Sequence, residues 1–176
     1  MAYLTKPVFV IGFMGAGKTT AVRRLARQLG LSGVDSDVYI ARCVGMNSAD
    51  YINAYGIEAF RAAEIDAIRN LMAMDAPIIS LGGGAIESEE CRNLIKMLGY
   101  VVYLKISALE ASERIENIKS RPLFTDLESA EELNERRDPL YAEVADCIID
   151  VKGSNVFSVS ERICKHLRED GILIDT

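Results

Sequence analysis

The sequence lacks three features, each of which would place it in a particular class of protein. Its four cysteines, Cys43, Cys91, Cys147 and Cys164, form no C-x-x-C pair and have no histidine nearby at metal-ligand spacing. Basic side chains are not in excess, because 20 Lys and Arg face 26 Asp and Glu, a net charge of −6. No apolar run approaches the roughly 20 residues of a membrane-spanning helix. We therefore expect free thiols in a reducing cytoplasm, and binding to neither nucleic acid nor membrane.

The composition is that of an ordinary globular chain. Apolar residues make up 49% and charged residues 26% of the 176 positions, enough to bury a core and too varied for a low-complexity segment. No repeat or interdomain linker interrupts the chain. We expect residues 1–176 to form one domain and to act as a monomer, a point on which the sequence itself is silent.

Short apolar segments rich in β-branched residues alternate with segments of helical period. This alternation predicts a three-layer α/β sandwich, with a central five-stranded parallel sheet and helices on both faces. Four predicted strands are apolar on both faces and cover residues 7–11, 77–81, 100–106 and 147–151. Another short strand, the second in chain order, ends at Val34. The predicted helices cover residues 17–29, 36–42, 48–55, 57–74, 88–98, 108–115, 129–145 and 156–168.

The first predicted strand leads into a phosphate-binding motif. Residues 12–19, GFMGAGKT, match G-x-x-x-x-G-K-[ST] and lie between a predicted strand and a predicted helix. Glycines let successive N–H groups point at phosphate oxygens, and the helix adds its positive end. We expect Lys18 to reach the β- and γ-phosphates and Thr19 to bind Mg²⁺. The fold is therefore of P-loop NTPase type; a glycine-rich turn without a ligand is the weaker alternative.

Two acidic residues follow the second predicted strand. Asp35 and Asp37 stand at the carboxyl edge of the sheet, where open α/β folds bind ligands. One carboxylate could join a Mg²⁺ shell while the other accepts a hydrogen bond from an acceptor hydroxyl. The alternative is that one of them only caps the next helix.

Arg61 and Glu64 lie one turn apart on a predicted helix. A solvated i,i+3 ion pair is the common outcome of this spacing. The other interpretation is that Glu64 orients the Arg61 guanidinium, which then binds a substrate carboxylate through its two-pronged fork.

Three later features complete the pattern. Gly82, Gly83 and Gly84 end the third strand, which indicates either a close approach of backbone to ligand or a tight turn. Arg121 falls between residues 115 and 128, where the apolar period is lost; this segment is a lid over a site or a plain surface loop. Arg137 belongs to R-D-P-L-Y, whose proline interrupts a helical pattern.

The chain resembles the shikimate kinase family over residues 8 to about 150. The resemblance rests on six motifs in this order and at these separations: the P-loop, D-x-D, F-R-x-x-E, G-G-G, R-P-L-F and R-D-P-L-Y. The resemblance implies transfer of the ATP γ-phosphate to the 3-hydroxyl of shikimate, giving shikimate 3-phosphate and ADP, with Mg²⁺. It also implies a substrate-binding region at residues 35–63 and a lid at about 112–128. No acidic residue ends the third strand, and the family likewise lacks one there.

The resemblance implies roles for named residues. For catalysis these are Lys18, Asp37 as a possible base, and Arg121 on the transferring phosphate. For ATP they are Gly15, Ala16, Gly17, Lys18, Thr19, Thr20, Arg114 on adenine, and Arg121. For the substrate they are Asp37 at its hydroxyls, Arg61 and Arg137 at its carboxylate, and Gly82, Gly83 and Gly84 along its ring. For the metal they are Thr19 and, through water, Asp35.

Two other functions stay open from the residues alone. Arg61 and Arg137 could hold a substrate phosphate as well as a carboxylate, so a nucleoside monophosphate kinase or a gluconate kinase stays open. A nucleotide-binding module without catalysis would need only the P-loop. The residues also leave the base open between Asp37 and substrate-assisted transfer.

Overall fold

A computed structural model describes residues 2–115 and 127–175 of the chain. Its strands are β1 (Ala2–Leu4), β2 (Val8–Ile11), β3 (Gly33–Asp35), β4 (Ile78–Ser80), β5 (Tyr100–Lys105), β6 (Cys147–Asp150) and β7 (Leu173–Asp175). Five of them form one parallel sheet in the order β3-β4-β2-β5-β6. This confirms the predicted five-stranded parallel sheet.

Helices cover both faces of the sheet, as predicted, in a three-layer sandwich. They are α1 (Lys18–Leu29), α2 (Ser36–Val44), α3 (Ser48–Tyr55), α4 (Ile57–Ala73), α5 (Glu89–Leu98), α6 (Ala108–Arg114), α7 (Leu127–Val144) and α8 (Val156–Glu169). Every residue of β2 is buried, because helices exclude water from both sides of the strand. For the same reason the strands appear in the sequence as unbroken apolar runs.

One pair of strands was missed in the sequence, and one predicted helix was confirmed although it contains a proline. The antiparallel pair of β1 and β7, with Ala2 opposite Asp175, was not predicted, because strands of three residues carry almost no periodic signal. The helix predicted over residues 129–145 is present as α7, and Pro139 lies inside it without interrupting it. Proline removes one backbone donor, and here it does not end the helix.

The cysteines are thiols, as expected. Cys91, Cys147 and Cys164 are buried, whereas Cys43 is exposed. Burial is the main reason that the pKa of Cys91 rises to about 12, which keeps this thiol protonated and unreactive. Across residues 2–115 and 127–175, no helix is both long and apolar enough to cross a bilayer.

The register of the strands gathers the predicted motifs at one edge of the sheet. Ser80 lies opposite Val10 on one side and opposite Asp35 on the other. Since the strands are parallel, the P-loop after β2, the acidic pair after β3 and the glycines after β4 all leave the sheet at the same edge. The fold thus brings together residues that are 70 positions apart in the chain, as for Gly12 and Gly82.

Candidate active site

The P-loop leaves the start of α1 open to an anion. Gly17 precedes the helix in a left-handed conformation, φ 85°, and provides no side-chain cap. No acidic residue lies in the first turn. The free N–H groups and the positive end of the helix therefore face the loop, which is the arrangement that binds phosphate.

Lys18 lies across the P-loop. Its ammonium Nζ donates hydrogen bonds to the carbonyl oxygens of Gly12, at 2.7 Å, and Phe13, at 3.1 Å. These contacts hold the positive charge beside the backbone donors of the loop. A phosphate bound in the P-loop would contact both the Lys18 ammonium and the backbone N–H groups.

Asp35 has two tasks, one for each oxygen of its carboxylate. Oδ1 accepts the backbone N–H groups of Asp37, at 2.9 Å, and Val38, at 3.2 Å, and so caps α2. Oδ2 accepts the hydroxyls of Thr19 and Ser80, the latter at 3.2 Å. The two interpretations of this acidic residue are compatible, because capping uses one oxygen and leaves the other directed at the P-loop threonine.

The donors around Thr19 and Asp35 are all oxygens, which suits a hard cation such as Mg²⁺. Within the described ranges, no group of three or more His, Cys, Asp or Glu side chains could hold a metal ion. A metal at a P-loop does not need such a cluster, since phosphate oxygens and water complete its shell. Thr19 and Asp35 are therefore suited to hold Mg²⁺ beside a bound phosphate.

Asp37 lies against the glycine segment. A β-carbon on Gly82 would stand 2.6 Å from Oδ1 of Asp37, so any larger residue would displace the carboxylate from this position. The Gly82 N–H donates to the hydroxyl of Ser36, at 3.3 Å, which ties β4 to the start of α2. The three glycines therefore permit close approach, as one of the two interpretations held, and a 3-10 turn over residues 85–87 follows them.

The Arg61–Glu64 pair is not a solvated surface pair. Nη1 of Arg61 donates to Oε2 of Glu64 at 2.7 Å, and the Glu64 side chain is only 3% exposed. Burial is the largest influence on Glu64 and raises its pKa to about 7, although the nearby Arg61 opposes the shift. The geometry supports the interpretation in which Glu64 orients the arginine.

A second arginine meets Arg61 beside Gly84. Arg137 reaches this point from α7, and its side chain is 2% exposed. A β-carbon on Gly84 would lie 2.4 Å from Nη2 of Arg61 and 3.0 Å from Nη2 of Arg137. Two guanidiniums that converge in this way form a site for a carboxylate or phosphate.

Three residues of this region were missed in the sequence. Glu87 contacts three arginines, namely Arg61, Arg136 and Arg137. The hydroxyl of Tyr141 donates to the Gly83 carbonyl at 2.5 Å and so holds the glycine segment in place. Glu87 lies outside every recognised motif, whereas Tyr141 ends the R-D-P-L-Y motif and Arg136 directly precedes it, so these two had a signal in the sequence.

Two cavities meet at Asp37. One, of about 680 Å³, includes Lys18, Thr19, Thr20 and Arg114 in its lining. The other, of about 630 Å³, includes Arg61, Glu64 and Arg137. Both are lined by Met14, Asp37, Gly82 and Gly83. A nucleotide-sized space and an anion-binding space therefore share one wall, and Asp37 stands in it.

Of the two remaining predicted arginines, Arg114 lies within the described residues and Arg121 does not. Arg114 ends α6, lines the larger cavity, and donates from Nη2 to the Val151 carbonyl at 3.1 Å. Arg121 falls within residues 116–126, outside the described residues, as does most of the predicted lid at about 112–128.

Comparisons with known proteins point to one family. The family model described as shikimate kinase matches residues 14–168. A shikimate kinase of Haemophilus influenzae is 36% identical over 152 residues, 84% of each protein. One of Pseudoalteromonas translucida is 37% identical over 164 residues, 91% of this chain and 95% of that protein. The structure of shikimate kinase from Acinetobacter baumannii in complex with shikimate has a TM-score of 0.89 at 32% identity and covers 94% of each chain.

Proposed function

This chain belongs to the shikimate kinase family, and on that premise we propose how its residues divide the reaction. It is an ATP-dependent kinase that transfers the γ-phosphate of ATP to the 3-hydroxyl of shikimate, with shikimate 3-phosphate and ADP as products. Transfer of a phosphoryl group needs the acceptor oxygen in line with the phosphorus and positive charge around it. Each part of the site supplies one of these needs.

One observation carries the assignment of residues: the two cavities share the wall formed by Asp37, Gly82 and Gly83. An acceptor in the arginine-lined cavity and a nucleotide in the P-loop cavity would face each other across that wall. This supports direct transfer between two substrates bound side by side.

The P-loop cavity binds ATP. The backbone N–H groups of Gly15, Ala16 and Gly17 and the start of α1 hold the phosphates, and Lys18 adds charge at their β and γ positions. Thr20 and Arg114 line the same cavity, and we assign the adenine to the Arg114 end.

We propose Mg²⁺ as the metal, held by the hydroxyl of Thr19 directly and by Asp35 through water. When bound, the ion neutralises negative charge on the phosphates. Ser80 shares the Asp35 carboxylate oxygen and so keeps it directed at Thr19.

The second cavity binds shikimate. Arg61 and Arg137 hold its carboxylate, and the backbone of Gly82, Gly83 and Gly84 lies along its ring. Asp37 accepts hydrogen bonds from its hydroxyls and takes the proton of the 3-hydroxyl as phosphorylation proceeds. Arg121, outside the described residues, contacts the transferring phosphate in the role that the resemblance implies.

We further propose that residues 1–176 act as one kinase domain and as a monomer in the cytoplasm. Both cavities are lined by residues of one chain, so a single copy is sufficient for the site. The thiols fit a reducing compartment, and the net charge of −6 opposes binding to nucleic acid. The substrates are therefore the partners that the site requires.

The decisive experiment measures ADP release with shikimate, gluconate and AMP as separate acceptors. We expect stimulation by shikimate alone and none in Lys18→Ala, which removes the phosphate-binding ammonium. Stimulation by gluconate or AMP instead would identify another small-metabolite kinase. ATP binding without stimulation by any of the three would identify a non-catalytic nucleotide-binding module.

A further inference from the structure

Glu87 lines the acid-binding cavity and is held in place through its backbone. It closes the 3-10 turn over residues 85–87 that follows the three glycines. Nη1 of Arg92 donates to the carbonyl oxygens of Ile86, at 2.8 Å, and Glu87, at 3.2 Å. The backbone of Glu87 is thereby anchored, and its carboxylate enters the cavity from a defined point.

The two carboxylate oxygens of Glu87 have different partners. Oε2 lies 3.1 Å from Nη2 of Arg61 and 3.2 Å from Nη2 of Arg137, so it bridges the two buried guanidiniums. Oε1 lies 2.7 Å from Nη2 of Arg136, which also donates from Nε at 3.2 Å. The Arg136 side chain is 64% exposed. Glu87 thus joins an inner pair of arginines to an outer one.

The inner contacts coincide with those assigned to the substrate carboxylate. Nη1 of Arg61 donates to Glu64, and Nη2 is the terminal nitrogen that lies beside Gly84 and Arg137. Glu87 accepts its hydrogen bond from that nitrogen. Glu87 also accepts a hydrogen bond from Nη2 of Arg137. A substrate carboxylate that bridges the two guanidiniums would need the position that Oε2 holds.

We propose that Glu87 sets the affinity for the acid substrate by competing with the substrate carboxylate for Arg61 and Arg137, and that Arg136 retains the displaced Glu87 side chain. The proposal rests on the proposed function, specifically on these two arginines binding the carboxylate. It adds two residues, Glu87 and Arg136, to those that determine the affinity of the enzyme for shikimate.

Charge balance allows this exchange without a net loss of charge neutralisation at the two arginines. Two guanidiniums pressed together with little solvent repel each other strongly unless an anion lies between them. Glu87 supplies that anion, and the substrate carboxylate replaces it with the same charge. Because Arg136 already holds the other oxygen of Glu87, the displaced side chain keeps a charged partner and does not move into the cavity unpaired.

Glu87 is ionised at neutral pH, as a competitor must be. Burial by itself would raise its pKa, but the hydrogen bond from Arg136 and the charge of Arg137 outweigh that effect, and the pKa lies below its ordinary value.

The test is Glu87→Gln, which keeps the shape and removes the charge. We expect the KM and Kd for shikimate to fall roughly tenfold, the size of one charge-assisted hydrogen bond, with kcat and the KM for ATP changed by less than about twofold. The matched control is Glu90→Gln, which removes the same charge from an exposed pair with Arg69 at 2.7 Å. An unchanged or higher KM for shikimate in Glu87→Gln would overturn the competition.

Arg136→Gln provides a second test at an exposed position, where folding is not at risk. Loss of the outer partner should leave Glu87 on the inner pair, so the KM for shikimate should rise. In the double variant with Glu87→Gln the rise should disappear. An equal rise in both backgrounds would show that Arg136 contacts the substrate itself, and would overturn its role as the partner of the displaced Glu87.

Calorimetry of shikimate binding distinguishes a failure of the competition by Glu87 from a failure of the proposed kinase function. If the wild type binds and phosphorylates shikimate but Glu87→Gln does not bind it more tightly, only the competition is wrong. If the wild type neither binds nor phosphorylates shikimate, the proposed function is wrong as well.

Discussion

Gly84 and Arg61 are so close that a β-carbon on Gly84 would lie 2.4 Å from Nη2 of the guanidinium. Gly84 itself has φ −90° and ψ −10°, a conformation open to any residue. Gly84→Ala therefore tests space and not backbone strain. We expect the KM for shikimate to rise at least about tenfold because the arginine must move from its position, while the KM for ATP is unchanged.

Gly82→Ala is the companion variant, since its β-carbon would meet Oδ1 of Asp37 at 2.6 Å. Here kcat should fall more than the KM for shikimate rises. Steady-state kinetics with each substrate varied in turn separates the two. The same kinetic change in both variants would contradict the division of roles between Asp37 and the arginines.

Asp37→Asn removes the proton acceptor but keeps the shape of the side chain. If Asp37 is the base, kcat should fall by about 10²–10⁴, the usual contribution of general base catalysis. Asp66→Asn, on the exposed side of α4, is the control for the loss of one carboxylate. A decrease in kcat of less than about tenfold would favour substrate-assisted transfer.

Arg137→Lys keeps the positive charge and removes the two-pronged fork. The KM for shikimate should rise by about tenfold or more, because an ammonium cannot form paired hydrogen bonds with a carboxylate. The KM for ATP should change far less. Arg69→Lys, at an exposed arginine, is the matched control. Equal effects on the two KM values would place Arg137 elsewhere in the mechanism.

The raised pKa of Glu64 should make the stability of the protein depend on pH. Burial raises its pKa to about 7 in the folded protein, against an ordinary value of 4.5, in spite of Arg61. Between these two values the folded state binds more protons than the unfolded state, so the free energy of unfolding falls as pH rises. The contribution is complete below about pH 4.5 and is lost as pH passes through about 7.

Urea unfolding at pH 5, 6, 7 and 8 measures this effect against Glu64→Gln, which does not titrate. The wild type should lose on the order of 2–3 kcal/mol relative to the variant across this range. Parallel curves for the two proteins would mean that Arg61 keeps Glu64 ionised throughout.

Thr19→Val removes the hydroxyl that the metal assignment needs and keeps the branched shape. We expect a rise of about tenfold or more in the Mg²⁺ concentration for half-maximal activity. Thr19→Ser keeps the hydroxyl and should behave like the wild type. An equal Mg²⁺ requirement in the two variants would remove Thr19 from the metal site.

Much of the fold followed from the sequence because buried parallel strands are apolar on both faces. The run of Val8–Ile11, all buried, is an example. By contrast, β1 and β7 are too short to show a period, and their pairing joins the two ends of the described chain. The helix α7 was predicted over residues 129–145, and it continues past Pro139.

The sequence by itself determined the phosphate-binding loop, since a P-loop is a local structure whose glycines and lysine act within eight residues. It also determined the order of strands and helices and, through resemblance, the family. The acid-binding site was decided only by tertiary structure. Arg61, Glu87 and Arg137 come from three separate segments, and only the packing of α4 and α7 around the glycine segment brings their charges together. Burial strengthens the electrostatic interactions among these side chains. Burial depends on the packing of the whole molecule and cannot be read from a single segment.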